Sequence, residues 1–232
     1  MSISYFKTKA VQIQVGGYLI YLALMFLAMV FYTGGTRIDS SISGYSFWQN
    51  YLSDSGRTIA YSGIPNPVSM IILPIALIIY ALSYLPLYLK ISVFFNEDKF
   101  GKFFIRVGTC LGIFASIFLI GIALTPEDIL AIPHVFFVYI GYIFILINAI
   151  FYSIALFLNE KFSNIYAINL AIFATIFFIT LMMGISGGLY ISVIGQKIGR
   201  FATMATFIIM AYGIWKIEKP PSFQKEIIED SD

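Results

Sequence analysis

The chain has 232 residues, 59% of them apolar and only 11% charged, where a soluble domain carries roughly 25% charged residues. With a mean hydropathy of +0.89, this composition excludes a disordered chain, a disulfide scaffold and an ordinary water-soluble enzyme. The net charge of +2 is too small to attract nucleic acid, so no nucleic-acid partner is expected. Cys110 is the only cysteine, which rules out an internal disulfide, and His134 is the only histidine. A zinc site takes three or four protein ligands, mostly His and Cys, so no metal and no cofactor is expected.

Six apolar runs reach the roughly 20 residues that a membrane-crossing helix needs. They cover about 15–32, 67–89, 106–124, 132–158, 165–183 and 196–215. The expected fold is therefore all-α: a polytopic bundle of six transmembrane helices forming one integral membrane domain over 1–232. The first run follows Lys7 and Lys9 but is long and lacks a small-residue cleavage pattern, so it reads as a retained span. Lys219-Pro220-Pro221 stops the last one, leaving 216–232 as a short cytoplasmic tail. With six spans both termini share a side. That side carries Lys7, Lys9, Lys90, Lys99, Lys102, Arg106, Lys161, Lys216, Lys219 and Lys225. The other side has only Arg37, Arg57, Lys197 and Arg200, which predicts cytoplasmic termini in the cell membrane.

The first outer loop, 33–66, is long for a compact bundle. Ser46 and Gln49 fit a capping box, and the spacing predicts a short amphipathic helix over about 46–55. Phe47, Trp48, Tyr51 and Leu52 would form its apolar face, with Asn50, Ser53, Asp54 and Arg57 opposite and Gly56 closing it in the left-handed conformation. In the second outer loop, Thr125 reads as an N-cap and Pro126 as the first helical residue. Glu127 and Asp128 would then sit against the helix dipole. His134 opens the fourth span. The glycine-rich stretch 185–190 is either a short loop or a helix break lining a cavity. Gln196 and Arg200 share a helix face at the mouth of the sixth span. No Asp, Glu, Lys or Arg falls near the middle of a predicted span, which argues against a charge-coupled transporter.

These loop residues also carry a family resemblance. Leu52-Ser53-Asp54-Ser55-Gly56, then Asn66, a Pro-x-Asp element at Pro126 and Asp128, and His134 opening a span resemble a six-helix prokaryotic membrane family, domain of unknown function 998. Ser55 departs from it, since a large apolar residue is usual there. A more distant similarity is to eukaryotic autophagy-modulator membrane proteins. The resemblance covers about 15–215 and implies six spans and a polar site on the outer side, but no reaction.

The candidate outer-face site is Asn50, Ser53, Asp54, Arg57, Asn66, Asp128, His134, Gln196 and Arg200. The first functional reading is an integral membrane protein that binds a lipid or a membrane partner there. Membrane lipids are the expected partners, with the oligomeric state open. The alternative is a lipid-modifying hydrolase or transferase, because Ser53, Asp54 and His134 have the side chains of a nucleophile, orienter and base. No G-x-S-x-G elbow accompanies them. A small-molecule transporter is the third.

Overall fold

The computed structural model describes residues 9–95 and 99–218. The first helix, α1 (Ala10–Val30), leads into the long loop 31–68. The second span comprises α2 (Ser69–Ser83), α3 (Leu85–Ile91) and a 3-10 turn, Ser92–Phe95. Pro86 at the start of α3 cannot donate to the preceding turn, which marks the joint. The remaining spans are α4 (Lys99–Ala123), α5 (Ala131–Phe157), α6 (Asn164–Ser186) and α7 (Leu189–Glu218). No strand occurs among the described residues, only an isolated bridge between Ile59 and Pro65. The stop at Lys219-Pro220-Pro221 and the tail beyond Glu218 lie outside the described residues.

All six spans are long and apolar enough to cross a bilayer. Their outward faces display Ile71, Phe114, Ile117, Ile172 and Phe178, among many large apolar side chains. Water does not tolerate apolar surface on that scale, whereas lipid tails cover it. The chain is a multi-pass integral membrane protein with an all-α, six-span bundle.

The helices outrun the apolar windows. α4 begins at Lys99 rather than 106, and α1 at Ala10 rather than 15. Hydropathy marks only the hydrocarbon depth, while the helix continues into the interface, where charged heads reach water. The largest difference is α7, which begins at Leu189 rather than 196. Of the two readings of 185–190, the short loop holds, reduced to the two residues Gly187 and Gly188 between helices. α6 ends at Ser186, Gly187 is extended, and α7 follows at Leu189.

Helices α4 and α5 approach closely because small residues face aromatic rings. A Cβ on Gly108 would lie 2.5 Å from the Tyr152 ring, and one on Gly121 would lie 2.4 Å from Phe137. A file of buried rings runs through the core. Tyr21 meets Tyr80 at 4.6 Å, Tyr80 meets Tyr84 at 5.1 Å, Tyr84 meets Tyr88 at 5.7 Å, and Tyr88 meets Tyr152 at 6.0 Å. Tyr84 donates its hydroxyl proton to Tyr80 at 2.6 Å. At the end where α7 finishes, buried Lys90 of α3 pairs with Glu218 at 2.6 Å.

Gly108→Val should destabilise the bundle by about 1–3 kcal/mol, the usual cost of overpacking. Gly184→Ala faces open space and should cost little. Thermal unfolding of both variants in the same detergent checks the contrast.

Candidate functional site

The loop 31–68 folds back over the bundle end opposite the start of α1 and the end of α7. Gly34 and Gly35 start the fold-back with φ of 104° and 81°, conformations that side-chain-bearing residues rarely adopt. A Cβ on Gly35 would also lie 2.3 Å from the Ser62 nitrogen. Their backbones pair with Ile42 and Ser62 at 2.7 and 3.0 Å.

The continuous helix expected over 46–55 is replaced by two pieces. A single turn at the Ser46 end is closed by the Asn50 amide on the Ser46 carbonyl at 2.9 Å. Tyr51 is then extended, and a 3-10 helix runs Leu52–Gly56. The break has a physical cause. The Asn50 carbonyl, which would continue a helix, instead accepts Lys197 Nζ at 2.6 Å and the Tyr45 hydroxyl at 3.2 Å. Asp54 rather than Ser46 caps the helical piece, its carboxylate accepting the Tyr51 amide at 2.8 Å. Gly56 is not left-handed; it is small because Leu73 packs 3.1 Å from where its Cβ would be. Leu52 is buried as expected, but Trp48 points outward and is 66% exposed.

Distant residues pin these pieces. Asp128 receives the Thr58 hydroxyl at 2.5 Å and the Thr58 and Ile59 amides at 3.0 Å each. Asn66 donates to the Ser55 and Arg57 carbonyls at 3.0 and 2.9 Å. Gln196 accepts the Leu52 amide at 2.7 Å, and the Tyr51 hydroxyl bonds Ser192. Leu52, Asp54, Asn66 and Asp128 therefore belong to one tie-down network.

Beneath the 3-10 helix lies a cavity of about 300 Å³. Arg37, Tyr51, Ser53, Asp54 and Glu127 form its polar roof. Its walls come from α5, α6 and α7, where Val135, Val138 and Leu181 are interspersed with His134, Tyr142 and Gln196. Of the predicted site residues, Ser53, Asp54, His134 and Gln196 line it. Asn50 braces Asp54 from behind, donating at 3.1 Å. Arg57 pairs with Glu127 at the roof edge and stacks 4.0 Å over Tyr61. Asn66 and Asp128 hold the loop without lining the cavity.

Sequence reasoning missed Glu127 as a site residue. The segment after Thr125 is a turn closed by Leu130 on the Pro126 carbonyl at 2.8 Å, and α5 starts only at Ala131. Glu127 therefore faces two cations, Arg57 and, at 3.2 Å, Arg37, rather than a helix dipole. Arg200 is the other departure. It lies twelve residues into α7, 9% exposed, with its guanidinium 4.7 Å over Tyr80 and 5.7 Å from Tyr21. A charge is thus buried within a span, and no Asp or Glu among the described residues pairs with it.

Ser53, Asp54 and His134 do not form a relay. His134 Nδ1 bonds the Thr125 carbonyl at 2.6 Å, while Asp54 is engaged by Asn50 and Tyr51. Among the described residues, no hydrogen bond joins the three side chains.

The two loop-end aspartates differ electrostatically. Burial pushes the Asp54 carboxyl up to about 6, against the opposing hydrogen bonds from Asn50 and Tyr51. Asp128 is held below its ordinary value, because the Thr58 and Ile59 donors outweigh its partial burial.

No family model matches this chain, and no curated protein or solved structure does.

Asp54 takes up its proton in the folded state before the unfolded one. Its stabilising effect is full below about pH 4 and is lost as pH rises through about 6. Asp54→Asn should remove that part of the pH dependence, amounting to about 3 kcal/mol at most. Melting temperatures of both proteins between pH 4 and 7 should converge at the acid end and separate toward neutrality, the variant being the more stable there.

Proposed function

We propose that this membrane protein binds a lipid-class amphiphile in the cavity under the loop. The supporting observation is the division of the cavity: Val135, Val138 and Leu181 offer an apolar wall, and Arg37, Asp54 and Glu127 a charged roof. A site for a molecule with one apolar and one polar end has this composition. At about 300 Å³ it is at the small end of ligand pockets, which suits a chain segment or small headgroup rather than a whole phospholipid.

In the same reading the loop end faces outward and both termini are cytoplasmic in the cell membrane. The excess of Lys and Arg on the termini side supports this orientation. The site would then be open to the outer leaflet.

Gly184 offers a direct test. It lines the cavity, and a side chain added there meets open space. Gly184→Leu should fill the cavity while leaving the melting temperature nearly unchanged. Native mass spectrometry of protein released from lipid nanodiscs should show bound lipid on the wild type and little on the variant. Equal lipid retention by a well-folded variant would refute the cavity as the site.

A further inference from the structure

Arg200 is a full positive charge in the interior of a membrane bundle, and arginine does not shed its proton in proteins. Such a charge needs a counter-charge. The carboxylates of this end are engaged elsewhere. Asp54 is held by Asn50 and Tyr51, Asp128 by Thr58 and Ile59, and Glu127 by Arg37 and Arg57. The faces of Tyr21 and Tyr80 and a hydrogen bond with the Tyr80 hydroxyl stabilise the guanidinium but supply no net negative charge. Two donors here have no acceptor: Arg200 Nε and the hydroxyl of Tyr21, both fully buried.

We infer that Arg200 and Tyr21 form the floor of a binding position for a single anionic group, a phosphate or carboxylate, reached from the cavity beneath the loop. The connection runs through α7 and α5. Gln196 lines the cavity, and Arg200 follows it by one helical turn, about 6 Å deeper along the axis. Tyr142 also lines the cavity and lies within electrostatic reach of Arg200. An anionic amphiphile would place its charge on Arg200, where bulk water does not compete, and its chain against Val138 and Leu181. The inference rests on the cavity reading and narrows it to anionic ligands.

The test is a set of thermal-shift titrations in neutral maltoside micelles with dodecyl phosphate, dodecanol and inorganic phosphate. Dodecyl phosphate should stabilise the wild type with a midpoint at least about ten-fold lower than dodecanol, as a hydrogen-bonded charge requires. Arg200→Gln should erase that preference. Tyr21→Phe removes only an unpaired hydroxyl, so it should fold even if Arg200→Gln does not, and it should weaken dodecyl phosphate by about ten-fold. An Arg200-dependent response to inorganic phosphate supports the site with a free anion as its source; silence there, beside a response to dodecyl phosphate, supports a lipid headgroup. Equal midpoints for dodecanol and dodecyl phosphate on the wild type would overturn the anion position. Dodecanol binding that Gly184→Leu removes would in that case leave the cavity reading standing. An unchanged dodecyl phosphate midpoint in Tyr21→Phe would also overturn the inference.

Discussion

The carboxylate of Asp128 takes the two successive amides and the hydroxyl of Thr58 and Ile59, and the rest of the loop end depends on this contact. A long loop laid over an apolar bundle brings backbone donors to a surface with little water, where each unpaired group is costly. Asp128 comes from the short α4–α5 connection, so it fixes the loop's return segment to the bundle's far side. Asn66 then closes the segment on itself, through the Ser55 and Arg57 carbonyls. Tyr51, Leu52 and Asn50 are tied to α7 through Ser192, Gln196 and Lys197. The 3-10 helix Leu52–Gly56 is thereby seated on α1, α2 and α7, with Ser53 and Asp54 facing the cavity whose walls come from α5, α6 and α7.

Charge is distributed around that roof by function. Glu127 pairs with two arginines at the rim, one of them mostly shielded from water. Asp54 is buried and binds neutral donors only, so burial disfavours its charged form. Lys197 satisfies itself on the Asn50 carbonyl and the Phe47 ring. Arg200, deeper in α7, has the Tyr80 hydroxyl and the faces of Tyr21 and Tyr80, but no carboxylate among the described residues. A buried cation with no paired carboxylate among the described residues thus lies below the cavity, and the proposed ligand would complete it there.

The six spans were legible because hydrocarbon thickness imposes a length that local hydropathy reports directly. Their ends were not, since a helix such as α4 continues through Lys99 and Lys102 once its charged heads reach the interface. That error had a consequence at α7. Beginning the span at Gln196 puts Arg200 at a helix mouth, whereas the helix from Leu189 carries it into the core. The loop helix was misread for another reason. Its periodicity over 46–55 is genuine, but Lys197 captures the Asn50 carbonyl from 147 residues away, and no local window contains that contact. Glu127 was overlooked because a helix dipole already accounted for an acidic residue after Thr125-Pro126. Ser53 and Asp54 stand out as the polar face of the loop segment, and His134 and Gln196 as polar residues at span mouths; the structure sets all four around the cavity.

The central claim is that the loop, pinned by Asp128, makes the roof of a ligand cavity. Hydrogen–deuterium exchange across residues 51–60 in lipid nanodiscs, run alongside mass spectrometry of retained lipid, tests it on wild type and Asp128→Ala. The account predicts faster exchange at Thr58 and Ile59 in the variant and a parallel loss of bound lipid. Faster exchange with undiminished lipid would contradict it, because the roof would then be no part of the binding site.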